Sequence, residues 1–156
     1  PFRNVMSIML NRMLQGKQPI IYGDGKQQRC FSYIDDCLYC LNALAFQDNV
    51  VGEVINIGPD EEPITINELA EACANETGLN LDPIHHKDRP KEVKLAVCSS
   101  DKARELLGYS TATNMRQSVK KTAEYIRTRG TKKFQYHLPL EIINDQTPDT
   151  WKKKLI

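Results

Sequence analysis

The stretch Gly16-Lys17-Gln18-Pro19-Ile20-Ile21-Tyr22-Gly23-Asp24-Gly25-Lys26-Gln27-Gln28-Arg29-Cys30-Phe31-Ser32-Tyr33-Ile34-Asp35-Asp36 sets the terms for the rest of the chain. Pro19–Tyr22 is a short β-prone run, and Gly23-Asp24-Gly25 is a turn signal of the hairpin kind. Arg29–Ile34 returns to β-rich residues with a period of two. Arg29, Phe31 and Tyr33 share one face, and Cys30, Ser32 and Ile34 the other. Asp35 or Asp36 is placed to cap a helix reaching Phe46. The Gly-x-Gly here lacks the third glycine and the following helix of a dinucleotide fingerprint, so it reads as a turn and not as a phosphate loop.

Outward from this stretch the chain alternates short elements. Val5–Leu14 is helical and stops at Gly16, yet its apolar residues cover most of the circumference. A helix of that kind needs cover on several sides, and the reading expects a segment ahead of Pro1 to have been lost. Val54–Gly58 is a strand candidate. Thr65 and Glu68 form a capping box, with Ile64 and Leu69 as a hydrophobic staple, for a helix ending at Gly78. Pro83–His86 and Leu95–Cys98 are further short strands. Ser100 stands as cap for Asp101–Leu107, closed by Gly108, and a last helix from Asn114 buries Met115, Val119, Thr122, Ala123 and Ile126 before Gly130. Alternating strands and helices specify an α/β class. Three or four strands of a few residues are thin for a free-standing doubly wound sheet. Residues 1–130 are read as one domain and 131–156 as a tail without a clear period, in which Phe134–Ile143 is a candidate extended segment.

Composition narrows the function. The chain has 156 residues, 40% of them hydrophobic, with Lys+Arg 21 against Asp+Glu 20 and a net charge of +1. That balance removes the electrostatic case for a nucleic-acid partner or a polybasic membrane anchor. No apolar run approaches the ~18 residues of a membrane span, and no export signal is expected. Five cysteines, an odd number at low density, point to reduced thiols in a cytoplasm.

Few residues carry chemistry on spacing alone. Cys37-x-x-Cys40 falls inside a helix, where Cys37, Cys40, Leu41 and Leu44 form an i, i+3, i+4, i+7 stripe. They read as small buried hydrophobes, not as half a zinc site. His85 and His86 are adjacent on a strand and point to opposite faces, which disfavours one shared metal. No metal site is expected. Arg29, on a face with Phe31 and Tyr33, sits in an apolar setting that calls for an anionic partner. Arg89 lies in the turn-like Asp88-Arg89-Pro90. Two such guanidinium groups suit a diphosphate, with solvated surface arginine as the alternative.

The quoted stretch closely resembles the G-x-P-x-x-[FY]-G-D-G-x-Q-x-R-x-F-x-[YH]-[VI]-x-D signature of NAD-dependent nucleotide-sugar epimerases and dehydratases, in the extended short-chain dehydrogenase/reductase superfamily. Asn56-Ile57-Gly58, Thr65-Ile66-Asn67-Glu68-Leu69, Arg89-Pro90-Lys91-Glu92 and Asp101–Tyr109 follow in the family's order. Arg3-Asn4-Val5 is most similar to UDP-glucose 4-epimerase relatives. The resemblance covers residues 1 to 130. The family's Gly-rich loop for the dinucleotide pyrophosphate and its Tyr-x-x-x-Lys catalytic pair are not in this sequence. Tyr22-x-x-x-Lys26 has the spacing but spans the Gly-Asp-Gly turn and is rejected. The resemblance therefore implies the C-terminal, substrate-binding half of an extended short-chain dehydrogenase fold, with the Rossmann N-terminal half missing and no catalytic residue present.

What the resemblance implies for the site is specific. Arg29 and Arg89 would hold the two phosphates of a UDP-sugar. Glu92 would accept from the ribose hydroxyls, with a plain salt bridge to the arginines as the alternative. Ile20 and Tyr22 would flank the base, and Asn4 or Val5 would begin the helix beside the diphosphate. In the intact enzyme bound NAD would take a hydride from sugar C4 and return it to the other face. A 4,6-dehydratase or uronate decarboxylase is the alternative within the family; a non-catalytic nucleotide-sugar-binding or interaction module is the alternative outside it. A homo-oligomer is expected.

Overall fold

The computed structural model describes residues 4–136, 139–140 and 142–154. In chain order the elements are α1 (Val5–Met13), β1 (Ile20–Tyr22), β2 (Gln28–Arg29), α2 (Ile34–Phe46), a 3-10 turn (Asp48–Val50), β3 (Ile64–Thr65), α3 (Ile66–Thr77), β4 (Ile84–His86), β5 (Leu95–Ala96), α4 (Asp101–Leu107), α5 (Met115–Arg129) and α6 (Asp149–Lys152). The α/β class stands. Backbone contacts divide the chain into two compact units, one of residues 1–27, 65–94 and 119–156 and the other of residues 28–64 and 95–118.

The first unit is built on α1 against α3. Met6, Met9, Leu10 and Met13 of α1 are buried, as are Leu69, Ala70, Cys73 and Ala74 of α3. Alanines on one helix and flexible methionines on the other let two irregular surfaces approach closely. Val119 and Ala123 of α5 are also buried, and the Thr122 hydroxyl lies 3.8 Å from Met6 Sδ. The apolar circumference of α1 is thus only partly used: Val5, Ile8 and Leu14 are half-buried. The capping box forms as expected, with Thr65 Oγ1 accepting from the Glu68 N–H (3.1 Å) and Glu68 accepting from the Thr65 N–H (2.7 Å). β1 and β4 pair in parallel with Ile20 opposite Ile84 and Tyr22 opposite His86. The tail returns to this unit: the Asn11 amide exchanges hydrogen bonds with the Lys132 backbone at 2.8 and 2.9 Å. Described residues of the expected extended segment 134–143 form no strand, and 137, 138 and 141 lie outside the described residues.

In the second unit β2 and β5 pair in parallel, Gln28 opposite Leu95 and Arg29 opposite Ala96. The core is small: Cys40, Val50, Ala103, Leu107 and Tyr109, with half-buried Ile55 and Ile57 against it. Several expectations are corrected here. The strand expected over Arg29–Ile34 stops after Arg29, and Val54–Gly58 makes no ladder, with Val54 exposed. Gly23-Asp24-Gly25 is not a hairpin, because β1 pairs with β4 and β2 with β5. Neither Asp35 nor Asp36 caps α2; both lie in its first turn, and Tyr33 holds the cap position. Ser100 gives no side-chain cap to α4, because its hydroxyl donates to the Gly58 carbonyl (2.5 Å) and its N–H to Asp60 (2.7 Å). Ser99 Oγ accepts from the Asp101 N–H instead (3.1 Å).

Candidate functional site

The Gly-Asp-Gly turn is a hub that holds one corner of the first unit. Gly23 donates its N–H to the His86 carbonyl (2.8 Å), and its own carbonyl meets His85 Nδ1 at 2.8 Å. On the other side the Gly25 carbonyl accepts from the Asn67 N–H (3.1 Å), and the Asn67 amide donates to the Asp24 carbonyl (2.9 Å). Both glycines have positive φ, 66° and 72°, and a Cβ would run into Asp88 Oδ1 at Gly23 and into Asn67 Oδ1 at Gly25. The left-handed backbone favours glycine at both positions, and a Cβ at either would also displace the neighbouring Asp88 or Asn67 side chain. The Lys26 N–H bonds the Asp24 carboxylate (3.0 Å) and holds its pKa below the usual carboxylate value.

This hub positions the segment after β4. Asp88 lies against Gly23 and pairs with Lys94 at 3.0 Å, which raises the Lys94 pKa. The next residue, Arg89, places its guanidinium carbon 4.0 Å from the centroid of the Tyr22 ring. The Arg89 carbonyl then accepts from the Glu92 N–H at 3.2 Å. Pro90 and Lys91 close this turn, with Lys91 at φ 57°, so the half-buried Glu92 stays beside Arg89 in the chain path. Arg89 Nε is buried without a hydrogen-bond acceptor among the described residues. The hydroxyl of Tyr22 shares a short hydrogen bond with Thr150 Oγ1, and the His86 ring stands 6.4 Å from that of Tyr22.

Of the sequence-predicted site residues, the structure thus brings Tyr22 and Arg89 into direct contact, with Ile20 two residues before Tyr22 on β1. Asn4 and Val5 open α1; Asn4 is left-handed, exposed and makes no side-chain cap, and Arg3 lies outside the described residues. Arg29 lies on β2 in the second unit, half-buried, its Nη1 donating to the Gln28 carbonyl at 2.7 Å. Sequence reasoning missed Asn67, Asp88 and Thr150. Asn67 sits inside a quoted motif and Asp88 just ahead of one, but neither carries a sign of its partners, and the tail around Thr150 has no period to read.

The second unit holds a polar network. Asp36 is buried and accepts from the N–H groups of Ala112 (3.2 Å) and Thr113 (2.9 Å) and from Thr113 Oγ1 (3.0 Å). Arg104 pairs with Asp60 and with Glu61, the latter at 2.6 Å; its bond to Asp60, with that from the Ser100 N–H, lowers the Asp60 pKa to about 2. Cys40 is fully buried in the core, but Cys37 is half-buried and Leu41 exposed, so the CxxC stripe is only partly interior. In the first unit burial pushes the Cys73 thiol up to about 12, which leaves it unreactive. Among the described residues no three His, Cys, Asp or Glu side chains gather in a metal-holding cluster, and no helix is long and apolar enough to cross a membrane.

The sequence pattern of the GDP-mannose 4,6 dehydratase family matches residues 1–122. The chain belongs to that family. It is 30% identical over 133 residues to the UDP-N-acetyl-alpha-D-glucosaminuronate decarboxylase of Bacillus cytotoxicus, covering 81% of this chain and 41% of that protein. Among solved structures it is similar to the UDP-glucose 4-epimerase of Thermotoga maritima with UDP-glucose, at TM-score 0.74 and 30% identity over 83% of this chain and 41% of that one. The UDP-glucuronic acid 4-epimerase of Bacillus cereus, in complex with UDP-glucuronic acid and NAD, gives a TM-score of 0.75 at 30% identity, covering 81% and 40%. The chain spans 41% of the length of the curated decarboxylase and 39% of another curated relative.

Proposed function

We propose that this chain supplies the UDP-sugar-binding region of an NAD-dependent nucleotide-sugar 4-epimerase of the cytoplasm. The observation that carries the reading is Arg89. It is held by stacking on Tyr22, yet its guanidinium makes no hydrogen bond or ion pair among the described residues. A half-buried cation kept in place by an aromatic ring and lacking a protein anion is suited to a phosphate, which accepts from the guanidinium edge in a bidentate fork. Arg29 takes the other phosphate by the family resemblance, with Glu92 on the ribose, Ile20 and Tyr22 beside the base, and the start of α1 at Asn4 and Val5 beside the diphosphate.

The residues of this chain do not fit NAD. Its eight glycines include no G-x-x-G-x-x-G run; Gly78 and Gly108 are helix C-caps, and Gly23 and Gly25 belong to the turn hub. The 156 residues alone are therefore expected to bind no NAD and to turn over no sugar. The five free thiols suit a reducing compartment, and the whole protein is proposed to be a homo-oligomer. The Bacillus cytotoxicus relative, a UDP-N-acetyl-alpha-D-glucosaminuronate decarboxylase, supports a uronate decarboxylase as the second reading.

Calorimetry with UDP on the natural full-length protein tests the site. Arg89→Ala and Arg29→Ala should each weaken binding, by about 2–5 kcal/mol if the pair with phosphate is desolvated, and together by less than the sum. Unchanged affinity in both variants would overturn the assignment.

A further inference from the structure

We infer that Thr150, from the C-terminal segment, is a positioning residue for the nucleotide diphosphate: it holds Tyr22, and through Tyr22 the plane of the Arg89 guanidinium. The inference rests on the reading above that Arg89 takes a phosphate. Thr150 is fully buried although the residues around it are half-buried or exposed, and its hydroxyl is spent on the Tyr22 hydroxyl. Tyr22 is thereby fixed at both ends, by the β1–β4 ladder at its backbone and by Thr150 at its tip. One face of the ring carries Arg89 at 4.0 Å.

The geometry gives this contact a consequence. A guanidinium stacked on a ring keeps only its edge for hydrogen bonding, so the direction of its fork follows its packing on the ring. Without a partner for its hydroxyl, Tyr22 would rotate and carry Arg89 with it. Bidentate recognition of a phosphate tolerates little such movement. The segment that supplies Thr150 is short: α6 begins one residue earlier, its N-terminal turn closed by Trp151 and Lys152 N–H bonds to the Pro148 carbonyl at 3.0 and 3.1 Å. The C-terminal segment thus reaches back 128 residues to set the side chain on which the arginine rests.

The test is UDP titration of the full-length protein and its variants, with thermal melts to establish folding. Thr150→Val keeps the shape and removes the hydroxyl; it should weaken UDP about threefold to tenfold, as loss of one net hydrogen bond would. Tyr22→Phe should do the same, the double variant should be no weaker than either single one, and Thr150→Ser should restore native affinity. In an Arg89→Ala background Thr150→Val should have no further effect. A purely structural role would lower the melting temperature without that dependence on Arg89. Should Thr150→Val fail to fold, Tyr22→Phe with and without Arg89→Ala reads the same coupling. If Thr150→Val and Tyr22→Phe leave UDP affinity unchanged while Arg89→Ala weakens it, the inference falls and the phosphate reading survives. It falls too if Thr150→Val weakens UDP equally with Arg89 absent. If Arg89→Ala itself changes nothing, the phosphate reading fails and the inference with it.

Discussion

In the first unit Met9, Leu10 and Leu69 are almost completely enclosed between α1 and α3, whereas α2 in the second unit leaves Ile34, Leu38, Leu41 and Phe46 exposed and buries Cys40. The second unit compensates with polar ties: Asp36 on the Ala112-Thr113 backbone, Arg104 on Asp60 and Glu61, and the Tyr39 hydroxyl between the Gly108 carbonyl (3.0 Å) and the Ser110 N–H (2.7 Å). Apolar burial is additive and tolerant of direction. A polar tie is worth little net when made and costs more when one partner is left buried alone. The two units should therefore fail in different ways.

Leu10→Ala is expected to have the largest effect, about 2–5 kcal/mol, because it leaves a cavity beneath α3. Leu41→Ala, at a position 51% exposed, should stay within about 0.5 kcal/mol. Urea unfolding measures both; equal losses would break the contrast between the units. Asp36→Ala comes next, at about 1–3 kcal/mol, since it strands the buried Thr113 hydroxyl and N–H. Hydrogen exchange sharpens this prediction: amides of residues 112–113 should lose protection while those of α3 keep theirs.

The smallest effect at neutral pH is the acid response. Asp60 is held at about 2 against an ordinary 3.8, chiefly by its bonds to Arg104. A carboxylate depressed by folding stabilises fully above its unfolded pKa and loses that contribution as pH falls through the folded one. The second unit should therefore loosen between pH 3.8 and about 2. Arg104→Gln should flatten that dependence, as followed by pH-resolved melting. A profile unaltered by Arg104→Gln would remove this tie from the account.

What could be read in the chain was what lies close along it. The Thr65–Glu68 box closes over three residues, and the glycines ending α3 and α4 act within one turn. Local sequence proposes Asp35 or Asp36 as the cap of α2, because a carboxylate at a helix start has that local use, while the actual partner of Asp36, Thr113, is 77 residues away. The Gly-Asp-Gly turn is legible as a turn, but not as the joint between a β1 and a β2 that pair elsewhere, because each strand takes its partner from another part of the chain.

The sequence by itself determined the family, through a motif series that keeps its order over residues 1–122, and the helices whose caps and apolar spacing are local. Tertiary structure decided which β-prone runs became strands. A strand exists only where a second backbone offers its hydrogen bonds, so Tyr22 found His86 while Val54–Ile57 found no ladder. It also decided the stack of Arg89 on Tyr22 and the bond from Thr150 to the same ring. Those contacts join residues 67 and 128 positions apart, and no local propensity encodes a partner at that distance.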